Sequence, residues 1–205
     1  MESFRHVEDA FRSSCLSWGY GEIRTPTLEY LHLFTSTGTL TPHRLGRVYS
    51  FLDWDGWSGE RVVLRPDNTI PAVRLYIDSL PQDSPAKLFY VQNVFSFEET
   101  GTESRERWQC GAEMLGSTSP SADVELVMLA QEVLRRLGIN GTTLYLSHAG
   151  LIRSLLRELG VDQAQQNRLF DRIMDGNAAA MIEAVAAQSP RLKDSLSLLF
   201  EMSGS

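Results

Sequence analysis

Apolar residues recur at spacings of three and four near the start of the chain: Phe4, Val7, Phe11, Cys15 and Trp18. That period predicts an amphipathic helix over residues 2–18, closed by Gly19. A short strand (Tyr20–Arg24), Pro26 and a second helix (Leu28–Phe34) follow. The Thr- and Gly-rich stretch 35–47 reads as a loop. Two strands, Val48–Leu52 and Glu60–Arg65, flank the segment DWDGWSG, whose Asp-Gly and Ser-Gly pairs signal a hairpin turn. Asn68 or Thr69 is placed to cap a helix carrying Ile70, Val73 and Ile77.

Residues 87–98 and 107–115 read as strands joined by a polar loop. Period-two alternation puts Phe89, Val91, Phe95 and Phe97 on one face of the first, and Tyr90, Gln92, Ser96 and Glu98 on the other. In the second, Trp108, Cys110, Ala112 and Met114 oppose Arg107, Gln109, Gly111 and Glu113. Aligned polar faces would form a cleft floor of carboxylate, amide and hydroxyl groups, with Gly111 leaving room for a ligand. Alternation by itself fits equally well an open antiparallel sheet with one solvated side.

Further on, the pattern predicts a helix over 121–137 capped by Ser121, a strand over Thr142–Ser147 and a helix over 149–159 stopped by Gly160. The tail reads as three short helices starting at Asp162, Asn177 and Ser189-Pro190, with no strand pattern. This sets a boundary near 160, with a core domain over 1–160 and a small helical subdomain over 161–205.

Composition narrows the class. The chain has 205 residues, 42% hydrophobic and 22% charged, which suits a folded globular protein. No apolar run approaches the roughly 20 residues that span a bilayer, and the acidic N-terminus does not read as an export signal. We therefore expect no membrane partner. The net charge of −7 disfavours binding a large nucleic acid. Cys15 and Cys110 make neither a disulfide framework nor a zinc site, so a reduced, cytoplasmic setting is the simplest expectation.

Catalytic and cofactor motifs are sparse. There is no GxxxxGK, GxGxxG or HExxH. His6, His32, His43 and His148 lack metal-ligand spacing, so neither a metal nor a cofactor is expected. His148 is explained by a helix-capping position, and Cys110 by an inert thiol on an apolar face. LRPDNTIPAVR (Leu64–Arg74) is denser, with Arg65, Asp67 and Thr69 at a strand-to-helix transition. Asp67 could receive a ligand ammonium. Spacing alone favours an N-cap, with Arg65 paired to a nearby acid.

These same segments resemble the histidyl-tRNA synthetase-like core, a class II aminoacyl-tRNA synthetase fold. GYGEIRTPTLEYLHLF (Gly19–Phe34) is similar to the first signature, which ends in a dimer-forming segment. VYSFLDWDGWSGERVVLRPDNTIPAVR resembles the following hairpin and the "LRP-acid-x-T" element. KLFYVQNVFSFEET, a loop and RERWQCGAEMLG resemble the second signature hairpin. The resemblance implies an α+β fold: an antiparallel sheet flanked by helices, incomplete at the C-terminus, with a small helical insertion matched by the tail.

The family has two branches: synthetases that activate histidine with ATP and charge tRNA, and non-catalytic regulatory subunits of ATP phosphoribosyltransferase. By resemblance, histidine would be held by Asp67, Thr69, Gln109 and Glu113. Asp67 would receive the ammonium with help from Thr69, and Gln109 and Glu113 would complete the pocket. The ATP site is degenerate. Ser96 stands where the synthetase has a phosphate-gripping arginine, and Arg107 where an adenine-stacking phenylalanine sits. Serine has neither the charge nor the bidentate fork. The resemblance thus implies a regulatory subunit with no catalytic residues, taking part in histidine biosynthesis. Its implied partners are histidine, a short-form catalytic subunit and a second copy docked through Leu28–Phe34. The alternatives left open are a divergent or truncated synthetase, and an interaction module that binds no ligand. The third signature and the second histidine-contacting segment of the family are not found before Ser205, so a fragment or a short variant is expected.

Overall fold

A computed structural model describes residues 2–37, 45–54, 59–81, 83–97, 104–146, 148–158 and 162–174. Chain contacts separate into two units, residues 1–142 and 143–205.

The first unit opens with α1 (Glu2–Ser17), which turns Phe11 and Cys15 inward as its spacing predicts, whereas Val7 of the same stripe is 40% exposed. Gly19 adopts a φ of 81° and ends the helix in the left-handed conformation glycine tolerates best. Its neighbour β1 (Gly21–Glu22) is only two residues long and pairs in parallel with β5 (Ala86–Phe95). The other neighbour of β5 is β6 (Glu106–Leu115), antiparallel to it, giving the order β1-β5-β6. A second sheet runs β2-β4-β3, from β2 (Leu28–Tyr30), β3 (Ser50–Trp54) and β4 (Gly59–Leu64).

The apolar face of the β5–β6 pair carries the core. Cys15 from α1, Tyr20, Phe89 from β5 and Leu129 from α4 (Pro120–Arg136) are buried together, with Phe11, Trp18, Ala112, Met114 and Leu126 packed around them. Full burial of a side chain such as Phe89 contributes about 2 kcal/mol. Tyr20 donates to Glu125 of α4 (3.0 Å), and Lys87 of β5 pairs with the same carboxylate (2.7 Å). Two helices therefore cover one face of the sheet and leave the other to the polar residues.

Several expectations change. Leu28–Tyr30 is a strand because it pairs with Val62–Leu64, and the helix following it, α2 (Leu31–Ser36), starts three residues late. In α3 (Thr69–Ser79), Pro71, Ala72 and Tyr76 are buried whereas Ile77 is 61% exposed, so the inward stripe is not the expected one. The cap of α4 is Ser119, whose hydroxyl accepts from Ser121 N. Residues 142–146 form no strand: they pair with no neighbour among the described residues, Tyr145 and Leu146 stay exposed, and Ser147 lies outside the described residues. Residues 55–58 of the predicted turn, Gly160 and the helices predicted from Asn177 and Ser189 lie outside the described residues.

In the second unit, α5 (Ala149–Glu158) packs against α6 (Gln163–Met174), with the Arg153 guanidinium 4.4 Å from the Phe170 ring centroid. No helix among the described residues is long and apolar enough to cross a membrane.

Burial pushes the Cys15 thiol up to about 12, and Cys110 also moves up. Both thiols should therefore react slowly with a disulfide reagent at pH 8 in the native protein, and fully in denaturant. Because the unfolded thiol ionises first, the protonated thiol stabilises the fold below about pH 8.5, and that stability is lost as the pH rises towards about 12. Rapid stoichiometric labelling of native protein would contradict this packing.

Candidate functional site

The polar faces of β5 and β6 align. Gln92 lies opposite Gln109, Tyr90 opposite Gly111, and Leu88 opposite Glu113. The floor is only partly open, because Tyr90 is 1% and Gln92 8% exposed. The segment after β1 covers Gln92: its Oε1 accepts from Thr25 N (3.3 Å), and its Nε2 donates to Thr25 O (3.1 Å).

Arg65, 2% exposed, fastens this edge. Its Nε donates to Asn93 O (2.8 Å), Nη1 to Thr25 O (2.8 Å) and Pro26 O (3.0 Å), and Nη2 to Asn93 Oδ1 (3.2 Å). The expected acid partner is replaced by carbonyl oxygens. Burial pulls the Arg65 pKa down, and the field of Glu29 opposes that shift. Arginine nonetheless stays protonated. Glu29 itself pairs with Arg74 at 2.9 Å.

Three residues on, the chain enters α3 across the open end of the floor. Asp67 Oδ1 accepts from Thr69 N (2.9 Å) and Ile70 N (3.2 Å), so Asp67, rather than Asn68 or Thr69, supplies the side-chain cap. This puts Thr69 over β6, where its hydroxyl donates to Glu113 Oε1 at 3.0 Å. Tyr90 donates to the same oxygen at 2.9 Å. Desolvation, the largest cause, pushes the Tyr90 pKa well up, and Glu113 adds to it, so the hydroxyl remains a donor at neutral pH. Gln109 Oε1 accepts from Asn68 N (3.1 Å) and Asn68 Nδ2 (2.9 Å).

The four residues expected to hold a ligand are thus linked through one turn of chain: Thr69 touches Glu113, Asp67 caps the helix that carries Thr69, and Asn68 ties in Gln109. Gln109 and Glu113 lie about 13 Å apart along β6, with Tyr90 facing the strand between them. Gly111 has a different role from the expected one. A Cβ there would lie 2.3 Å from Tyr90 Cζ and Oη, so the missing side chain makes room for the Tyr90 ring and not for a ligand. Tyr90 and Asn68 were not singled out from the sequence. The parity of β5 puts Tyr90 on the polar face, whereas nothing local to Asn68 points beyond a helix cap.

Ser96 follows the end of β5, and its backbone N–H donates to Arg105 O (3.0 Å). Arg107, opposite Val94, is exposed on the same face as Gln109. No group of three or more His, Cys, Asp or Glu among the described residues is arranged to hold a metal ion. The chemistry on offer is that of a polar cluster: carboxylates beside hydroxyl donors at one end, a carboxamide at the other.

The profile of the family described as histidyl-tRNA synthetase matches residues 1–205. An ATP phosphoribosyltransferase regulatory subunit of Dehalococcoides mccartyi (strain BAV1) is 56% identical over 204 residues, covering 100% of this chain and 49% of that protein. A histidine–tRNA ligase of Methanosarcina acetivorans is 36% identical over 203 residues, covering 98% of this chain and 48% of the ligase. A crystal structure described as an ATP phosphoribosyltransferase regulatory subunit/histidyl-tRNA synthetase from Bacillus halodurans C has a TM-score of 0.79 and 28% identity, over 96% of this chain and 51% of that one. The chain spans about half the length of the curated relatives it matches.

Proposed function

We propose that this chain, which belongs to the histidyl-tRNA synthetase family, is the ligand-sensing part of an ATP phosphoribosyltransferase regulatory subunit that binds histidine without activating it. The reading rests on one observation. The side chains suited to an amino acid stand together, whereas Ser96 brings no positive charge to the place where the family's synthetases grip ATP. The higher identity to a regulatory subunit than to a ligase, 56% against 36%, points the same way.

In this reading Asp67 and Thr69 lie at the ammonium end of histidine. Glu113 Oε1 is engaged by two hydroxyls, which leaves its second oxygen to accept an N–H of the ligand. The short-form catalytic subunit is the proposed macromolecular partner. Histidine and that partner would then alter each other's affinity by the same factor, which is how a site that does no chemistry regulates a distant one. The protein would also pair with a second copy. Leu28, Tyr30 and Phe51 lie on one face of the second sheet, each more than 40% exposed, and extend the apolar surface expected over 28–34. Phe34 is fully buried and belongs to the core of its own chain.

Calorimetry tests the reading. Histidine should bind the protein carrying this chain, and Glu113→Gln should weaken binding by about tenfold or more, the loss of one charge-assisted hydrogen bond. Absence of heat and of any thermal shift at millimolar histidine would favour an interaction module that binds no ligand.

A further inference from the structure

We propose that Asn68 is a positioning residue that fixes the polarity of the Gln109 carboxamide and so makes its end of the cleft a carboxylate subsite. The inference rests on the amino-acid reading of the cleft, but its first step does not.

That step is a matter of lone pairs. A carboxamide oxygen has two, and Gln109 Oε1 spends both on Asn68, one on the backbone N–H and one on Nδ2. A backbone N–H can only donate, so the Gln109 amide cannot be turned end for end without facing a donor with a donor. Asn68 has no freedom to release it, being 0% exposed. The Asn68 side chain also carries a cost, because its Oδ1 is buried without a hydrogen-bond partner. A side chain serving only to fill space would leave no such orphan. What the asparagine adds is the Nδ2 donor to Gln109.

The consequence is directional. Gln109 can no longer accept from a ligand ammonium. It presents its Nε2 hydrogens, which have no partner among the described residues, and these seek an acceptor. Asp67 and Glu113 mark the other end of the cleft as the place for positive N–H groups. A ligand that satisfies both ends bears a cationic or N–H-rich part and a free carboxylate, as an α-amino acid does.

Histidine and histidinol, which differ by carboxylate against hydroxymethyl, separate this role from a structural one. The native protein should prefer histidine. Asn68→Ala should weaken histidine binding by about tenfold while changing histidinol binding less than about twofold. Asn68→Ser, which retains a donor, should recover part of the preference and serves if the alanine variant folds poorly. Equal losses for both ligands would overturn the proposal. Side-chain ¹⁵N relaxation in the ligand-free protein tests the lock by itself. The Gln109 amide should be rigid in the native protein and mobile in Asn68→Ala, and equal order in both would also overturn it. If the lock responds but the native protein binds neither ligand, the positioning role of Asn68 stands and the amino-acid reading of the cleft fails.

Discussion

Replacing Arg65 by methionine should cost about 3–5 kcal/mol and leave little folded protein, because total domain stabilities run only about 5–15 kcal/mol. The size follows from what the guanidinium touches. It is 2% exposed and donates to the carbonyls of Thr25, Pro26 and Asn93 and to the Asn93 side chain. Methionine fills much of the volume but supplies no donor, so the Pro26 and Asn93 carbonyl oxygens lose the Arg65 bond and Thr25 O keeps only Gln92 Nε2. Each unsatisfied buried group costs about 1–3 kcal/mol. Arg65→Lys keeps the charge but has no planar fork to reach Asn93 and Thr25 at once, so it should recover only part of the loss. Urea titrations followed by far-ultraviolet circular dichroism give the comparison. A methionine variant with a midpoint near that of the native protein would show that these hydrogen bonds contribute little.

The second large effect is expected from a single methyl group. Gly111→Ala places a Cβ 2.3 Å from the Tyr90 ring in the middle of a ten-residue strand pair. The backbone there is held by β5, so the ring must move. Overpacking of this kind costs about 1–3 kcal/mol. Displacing Tyr90 also removes its hydrogen bond to Glu113, so histidine affinity should fall by about tenfold or more. Pairing the change with Tyr90→Leu should restore most of the stability and none of the affinity, since the clash is relieved but the hydroxyl stays absent. The two substitutions are therefore strongly non-additive for stability. If Gly111→Ala alone left both melting temperature and affinity unchanged, the tight approach of Tyr90 would be wrong.

The elements that were legible share a physical reason. α1, β5 and β6 each turn apolar side chains towards the shared core around Phe89, so their periodicity survives in the sequence, and the strand pairing sets Gln109 of β6 against Gln92 and Gly111 against Tyr90. The errors arose where partners are distant in sequence. Leu28–Tyr30 is a strand because of Val62–Leu64, over thirty residues away. The apolar run Leu144–Leu146 meets no strand among the described residues, and strand propensity alone does not make a strand. Arg65 looked like half of an ion pair, since nothing local announces that carbonyl oxygens will surround it. Asn68 looked like a cap for the same reason: its contact with Gln109 bridges 41 residues. Composition and spacing located the floor of the cleft, and the network that orients its groups emerged only from the packing of α3 on β6.

The central claim is that the cleft holds histidine and does not activate it. ATP–pyrophosphate exchange, measured on the same preparation that binds histidine, tests that claim most directly. No histidine-dependent exchange above background is predicted, because Ser96 offers no charge to hold the α-phosphate. Robust exchange that requires histidine would contradict the account and identify the protein as an activating enzyme.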